Sequence, residues 1–223
     1  MNSVAAYYEI LQGKTANFIG DSLFGGHALG KENTWIALLA EKYGMIYNNY
    51  GVNGCTLSAC ENGFSPIIER YVEMENSSTD IIVFEGGRND FNKCAAIGDA
   101  ESRDTATYCG AVAALIEGLR KKYPKSVIIG VSFWNTSSVN KAGVACNDYI
   151  AAMLNVCNAM GVPCINAMDE AASGIRMTDT EFRKQYSMLP GDVCHLNADG
   201  MKLALSFFER EIAKILAESS KFI

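Results

Sequence analysis

A serine, a histidine and a carboxylate occur in patterns that acyl-transfer chemistry uses. Ser22 follows an apolar segment in the stretch FIGDSL, positions 18–23. Asp192 and His195 are three residues apart in PGDVCHLNADG, so one turn of chain puts both side chains on the same side. Acyl transfer needs a nucleophile, a base that takes its proton, and a group that orients the base. The pattern therefore predicts Ser22 as nucleophile, His195 as base and Asp192 as its orienting partner.

Donors for an oxyanion are available near these residues. They are the backbone N–H groups of Ser22 and of Gly54, in NNYGVNG, and the side-chain amide of Asn89, in GGRND. Glycine at position 54 lets the backbone approach a ligand closely. Taken one by one, each residue also has a structural alternative: Ser22 and Asp192 as caps, Gly54 and Asn89 as turn residues. Their combination favours catalysis.

Further side chains are candidates for substrate binding. Asp21 precedes the serine, Phe91 follows GGRND, and Phe133 and Trp134 end an apolar run. Aromatic rings can line an acyl or sugar pocket, and they pack loops equally well. Both interpretations stay open for the three aromatic residues, while Asp21 is expected mainly to hydrogen-bond the loop backbone near the site.

Parallel strands would bring these positions together. Strand-like runs alternate with helix-like stretches, which predicts a parallel sheet with helices on both faces. In such a sheet functional loops lie beyond the carboxyl ends of the strands, so the candidate residues converge on one edge. The predicted strands are 16–20, 45–51, 80–87, 126–134 and 162–168; the predicted helices are 33–44, 65–75, 104–124, 140–161 and 197–219; the segments 88–103 and 169–196 are predicted as long loops.

Composition restricts the function classes. The chain has 223 residues, 49% of them hydrophobic, which predicts one domain over residues 1–223. Its net charge is −6 and its positive charges are scattered, so nucleic acid is not expected as a partner. No apolar run approaches the ~20 residues that span a membrane. The first residues lack the pattern of a signal peptide, so a cytoplasmic location is expected. Nothing in the sequence points to an oligomeric state.

The cysteines predict thiols rather than a metal site. There are eight, with no CxxC spacing, and only two histidines, so we expect free buried thiols in a reducing compartment and no zinc centre.

A rival pattern occurs in the loop after Ser22. Gly25 to Lys31 matches the start of the phosphate-binding pattern G-x-x-x-x-G-K-[ST], which makes a nucleotide-binding protein the alternative from another class. The last position is Glu32, so the hydroxyl that should contact Mg²⁺ is missing. We favour a glycine-rich approach to the first long helix, in which His27 faces solvent. A non-catalytic carbohydrate-binding module would need the loss of one of the three reactive residues, and none is missing.

Together the motifs resemble a known family, the SGNH hydrolases or GDSL-like esterases and lipases. FIGDSL, NNYGVNG, GGRND and DVCH match its serine, glycine, GxND and DxxH blocks in family order, from position 18 to 195. The resemblance implies a flavodoxin-like three-layer α/β/α sandwich with about five parallel strands. It implies that Ser22, Gly54, Asn89 and His195 carry the roles given above, with Asp192 completing a triad.

The resemblance also implies ester hydrolysis without a metal or organic cofactor. We predict a serine esterase acting on a small-molecule acyl ester, as a short-chain or carbohydrate O-acetyl esterase, because much of the family deacetylates sugars. Lipase-like, lysophospholipase-like and thioesterase activities are alternatives within the family. Cys55 and Cys194 stand where the family blocks usually have other small residues, and we expect both to be inert packing residues.

Overall fold

A parallel sheet forms the centre of the protein. The computed structural model describes residues 7–60, 63–75 and 78–219. Five strands pair in parallel in the order β2-β1-β3-β4-β5. They are β1 Thr15–Ile19, β2 Ile46–Asn49, β3 Ile81–Glu85, β4 Val127–Val131 and β5 Cys164–Ile165. After β1 the chain forms β2 on one side of it and then β3, β4 and β5 on the other side. The connections that follow β1 and β3 therefore run in opposite directions and leave a crevice at the carboxyl ends of these two strands.

Helices cover both faces of the sheet and give the predicted three-layer α/β/α sandwich. The second helix packs against the last, while the two long helices that flank β4 in sequence pack against each other. The helices are α1 Ser22–Gly25, α2 Trp35–Tyr43, α3 Ile67–Arg70, α4 Arg88–Lys93, α5 Tyr108–Lys122, α6 Cys146–Ala159, α7 Glu170–Ser173, α8 Thr180–Tyr186 and α9 Ala198–Ser219.

The bounds of these elements follow local sequence signals. The side chain of Thr34 accepts a hydrogen bond from Ala37 N and starts α2, and Gly44 ends it in the left-handed conformation. Asn197 Oδ1 accepts from the N–H groups of Asp199 and Gly200 at the start of α9. Strand β3 is buried along its whole length, as a central strand requires.

The helix predicted over 140–161 begins only at Cys146. The side chain of Asn140 accepts from the N–H groups of Ala142 and Val144, and Val139 bridges to Ala145, so the chain turns back on itself before the helix. Local side-chain hydrogen bonds of this kind compete with helix formation.

Other elements are shorter than predicted. The predicted helix 65–75 is reduced to α3 and a 3-10 turn over Tyr71–Glu73, and β5 keeps two residues. The segments predicted as long loops contain helices α4, α7 and α8. The basic run at the end of α5, Arg120–Lys122, lies in the last helical turn, where it complements the helix dipole.

No helix in the described parts of the chain is long and apolar enough to cross a membrane. All eight cysteines are free thiols in the structure.

Candidate active site

Ser22 begins α1 at the carboxyl end of β1. The side chain of Asp21 accepts from Leu23 N at 2.9 Å and so fixes the first turn that carries the serine. Ser22 is 7% exposed, and its Oγ lies 2.9 Å from His195 Nε2. The hydroxyl is thus within hydrogen-bond reach of an imidazole that comes from the other end of the sequence.

Asp192 and His195 form a compact turn before α9. Asp192 Oδ2 lies 2.9 Å from His195 Nδ1, while Oδ1 accepts from the N–H groups of Cys194 and His195 at 2.8 and 3.0 Å. Burial opposes ionisation of Asp192, but these hydrogen bonds outweigh it and hold the pKa of its carboxyl below the ordinary value. An ionised Asp192 accepts from Nδ1–H and leaves Nε2 free to accept the serine proton.

The environment of His195 keeps its ring neutral. Burial lowers the pKa of His195, the carboxylate of Asp192 opposes this, and charge interactions with His27 and Arg88 lower it further. The ring of His27 stacks on that of His195, with centroids 3.9 Å apart and planes within 11°. A neutral imidazole is the form that accepts a proton from serine.

Asn89, after β3, reaches the floor of the same crevice. Its Nδ2 donates to Asp21 Oδ2 at 3.0 Å and to Cys55 O at 2.9 Å. Both amide hydrogens therefore have partners, and donation to an oxyanion requires that one of these bonds be shared or exchanged. Gly54 lies beside this amide with φ +82°, a backbone conformation that favours glycine.

A pair of buried carboxyl groups supports the serine turn. Asp21 and Glu85 are 0% and 1% exposed, and Glu85 Oε2 accepts from Asp21 N at 3.2 Å. Burial raises the pKa of Asp21 to about 6. Burial, together with the charge of Asp21, raises the pKa of Glu85 well above its ordinary value. Glu85 is the member of the pair that keeps its proton, because two adjacent buried carboxylates cannot both ionise cheaply.

A third buried carboxyl, that of Asp90, joins the loop after Gly54 to α4. Asp90 accepts from the N–H groups of Leu57 and Ser58 at 2.8 and 2.9 Å, and from the Ser58 hydroxyl. This clamp fixes the distance between the glycine loop and the helix turn that carries Asn89.

A cleft of about 520 Å³ contains these groups. This volume suits a small ligand. Its lining consists mainly of polar side chains and glycine: Ser22, His27, Asn53, Gly54, Arg88, Asn89, Asn92, Gly191, Asp192, Val193, Cys194 and His195. All five residues predicted to have a catalytic or oxyanion role lie here.

The family comparison agrees with this arrangement. The model of the GDSL-like Lipase/Acylhydrolase family matches residues 18–203. The chain belongs to this family. The match begins at the strand that precedes Ser22 and ends beyond His195, so it includes every motif at the cleft.

Solved structures share the fold of this GDSL-like chain. A protein from Lactobacillus plantarum is 22% identical, with a TM-score of 0.79 over 93% of this chain and 98% of its own. A Bacteroides ovatus protein assigned as a GDSL-like lipase is 18% identical, with a TM-score of 0.65 over 90% and 98%. A family two carbohydrate esterase from Clostridium thermocellum, in complex with cellohexaose, is 18% identical, with a TM-score of 0.62 over 92% and 65%. No curated protein matches the sequence.

The predicted substrate contacts are not on the surface of the cleft. Asp21, Phe91, Phe133 and Trp134 are all buried, and none is among the residues that line it. Trp134 Nε1 donates to Cys194 O at 2.8 Å and thereby supports the loop that carries the histidine. The expectation that these side chains line the pocket is corrected: Asp21 is buried in the serine turn, Phe91 is buried in α4, and the segment that carries Cys194 covers Trp134.

The sequence assigned no role to several residues that line the cleft. Three of them lie in or beside the glycine and GxND blocks, namely Asn53, Arg88 and Asn92. Their position next to these blocks was the sequence signal that could have predicted a place in the cleft. His27 is exposed, as expected, but it also contacts His195. Its stacking depends on consecutive residues with positive φ, Gly26 at +76° and His27 at +42°, which no periodic pattern reveals.

The run from Gly25 to Lys31 does not form a phosphate-binding loop. Gly25 ends α1, the following residues form two 3-10 turns, and the next helix begins at Trp35. Lys31 Nζ donates to Asn49 O at 2.8 Å. Gly25 is needed for a close approach, because a Cβ there would overlap the Asn53 side chain. The run therefore packs the serine turn against the segment Asn49–Asn53.

Cys55 and Cys194 are packing residues beside the cleft. Both are buried, Cys55 fully and Cys194 at 8% exposure. Burial raises the pKa of the Cys55 thiol to about 12, and burial also raises the pKa of Cys194 far above the ordinary value. Both remain thiols at neutral pH, which makes them poor nucleophiles.

Proposed function

We propose that the chain is a serine esterase that hydrolyses small carboxylic esters through an acyl-enzyme. The observation that carries the proposal is the continuous chain Ser22 Oγ, His195 and Asp192, with both atom pairs 2.9 Å apart. We further propose that residues 1–223 act as one catalytic domain without a metal or organic cofactor.

In the first step Ser22 Oγ attacks the carbonyl carbon as its proton passes to His195 Nε2. Asp192 stabilises the imidazolium that forms. The N–H groups of Ser22 and Gly54 and the amide of Asn89 donate to the oxyanion. His195 then gives its proton to the leaving alcohol as the carbon–oxygen bond breaks. In deacylation a water attacks the acyl carbon as its proton passes to the same nitrogen. His195 then returns that proton to Ser22 Oγ as the acyl–oxygen bond breaks and the carboxylic acid leaves.

The cleft favours a short acyl group or a polar alcohol. Its amide and charged side chains suit the hydroxyl groups of a sugar better than a long hydrocarbon chain. We propose an O-acetyl sugar as the substrate class on the polarity of this cleft, and the carbohydrate esterase of the same fold shows that such a fold can act on carbohydrate esters.

Replacement of Ser22 by alanine tests the proposal. We expect wild type to hydrolyse p-nitrophenyl acetate, and the S22A variant to lose at least about 10³-fold in kcat while its circular dichroism is unchanged. Ser65→Ala, at an exposed serine outside the cleft lining, is the control and should behave as wild type. A fluorophosphonate probe followed by peptide mapping should label Ser22. Wild-type rates in S22A would refute the mechanism.

A further inference from the structure

Arg88 brings a guanidinium group to the cleft that contains Ser22 and His195. The residue begins α4 directly after β3 and is half-buried in the cleft lining. Its Cζ lies 5.2 Å from the centre of the buried Phe91 ring. The Phe91 ring packs against one side of the guanidinium and restricts its orientation, and the other sides remain available to polar partners.

This guanidinium has no ion pair with any residue that the structure describes. No carboxylate in residues 7–60, 63–75 and 78–219 lies within 4.0 Å of it. Its Nη1 donates to Thr136 Oγ1 at 2.9 Å, whereas the buried Nε has no hydrogen-bond partner among these residues. The terminal fork of Nη1 and Nη2 keeps donors to spare, and this fork matches the geometry of carboxylate and phosphate oxygens.

The rest of the cleft does not supply the missing negative charge. Among the described residues that line it, Asp192 alone is acidic, and both its oxygens are engaged by the His195 turn. The charge of Arg88 lowers the pKa of the buried Asp21, but this carboxyl forms no ion pair with Arg88 and does not line the cleft. The positive charge in the cleft is local, because the net charge of the whole protein is −6.

We propose that Arg88 binds an anionic group of the substrate, a carboxylate or a phosphate, so that the substrates of this enzyme are acidic esters. The inference rests on the esterase function proposed above. The positive charge of Arg88 disfavours protonation of His195. An anion bound to Arg88 neutralises that charge, and so favours protonation of the imidazole as the serine proton is transferred. Arg88 is in this way a specificity-determining residue for the reaction.

The test compares kcat/KM for esters that differ by one charge. The acyl arm uses p-nitrophenyl hydrogen glutarate against p-nitrophenyl pentanoate, which have the same number of acyl carbons. The alcohol arms use acetylated methyl glucuronide against acetylated methyl glucoside, and acetyl glycerol phosphate against acetyl glycerol. A charge-assisted hydrogen bond predicts a preference of about 10- to 100-fold for the anion in one arm, which identifies the source of the charge.

Variants locate the preference. Arg88→Gln should bring the anionic-to-neutral ratio close to 1, and Arg88→Lys should keep an intermediate ratio because it retains the charge and loses the fork. Lys93→Gln removes the same charge from the exposed end of the same helix and should leave the ratio as in wild type. Using a ratio within each variant cancels any general loss of activity.

The outcomes separate this inference from the proposed function. A wild-type ratio near 1 in all arms, or a preference that survives in R88Q, overturns the role of Arg88 even if neutral esters are hydrolysed in a Ser22-dependent manner. Absence of Ser22-dependent hydrolysis of every ester overturns the esterase function and the inference with it.

Discussion

Replacing Asn89 by alanine distinguishes an oxyanion donor from a scaffold residue. Nδ2 of Asn89 lies 3.0 Å from Asp21 Oδ2 and 2.9 Å from Cys55 O, so its two hydrogens are already used. Above pH 6 Asp21 is ionised and holds its hydrogen bond more strongly than a neutral carbonyl does. We therefore expect the bond to Cys55 O to be exchanged when the oxyanion forms.

The size of the effect follows from this exchange. Loss of one oxyanion donor costs about 2.7–4 kcal/mol in the transition state. Giving up one neutral hydrogen bond offsets about 1 kcal/mol of that gain. The remainder, about 1.7–3 kcal/mol, predicts that N89A lowers kcat about 20- to 150-fold. KM should change less than about 3-fold, because the charge develops only in the transition state.

The assay combines kinetics with stability. We would measure kcat and KM on p-nitrophenyl acetate at pH 8 and at a temperature well below the thermal unfolding midpoint. Active-site titration would give the concentration of competent enzyme. Urea unfolding should also show a loss, since Asp21 and Cys55 O are left without this donor inside the protein. Asn158→Ala, at an exposed position of α6, is the control for both measurements. A kcat within about 3-fold of wild type, together with the lower stability, would refute the donor role and leave Asn89 as a scaffold.

Two further predictions concern pH. The pKa of Glu85 is raised in the folded state, so its contribution to stability is complete below the unfolded pKa near 4.5 and is lost as the pH rises. The Glu85→Gln variant has no such proton to lose, and its free energy of unfolding, measured by urea titration, should therefore fall less than that of wild type between pH 5 and 8. An equal fall in both proteins would contradict this. The charge interaction with His27 lowers the pKa of His195, so His27→Phe, which keeps a stacked ring, should move the acid limb of the kcat/KM profile to higher pH. An unmoved limb would argue against the contact.

The convergence of the candidate residues was predictable because it depends on topology. Ser22 and Asn89 follow adjacent parallel strands, and any register of β1 against β3 brings their loops to one edge. The i, i+3 spacing of Asp192 and His195 likewise fixes their pairing by local geometry. The family resemblance and the α/β/α architecture are confirmed by the family match and the sheet order, while the catalytic roles stay predictions.

The parts that were missed depend on contacts between distant segments. Trp134 looked like a pocket residue at a strand end, yet it is covered by the segment that carries Cys194. The stacked position of His27 requires a left-handed backbone in two successive residues. Neither feature has a periodic pattern or a local spacing, so sequence reasoning had no signal for them.

The turn from Asp192 to His195 has a mechanical consequence. Its two reactive side chains are hydrogen-bonded to each other, Asp192 Oδ1 also accepts from the N–H groups of Cys194 and His195, and Ser187 Oγ donates to Asp192 O at 2.6 Å. The base and its partner therefore move as one rigid body. Among the hydrogen bonds of the described residues, this body meets the nucleophile through a single bond, Ser22 to His195. A small displacement of the whole turn would disconnect the serine while leaving the His–Asp pair intact, so the reactivity of the serine depends on how firmly this one segment is seated.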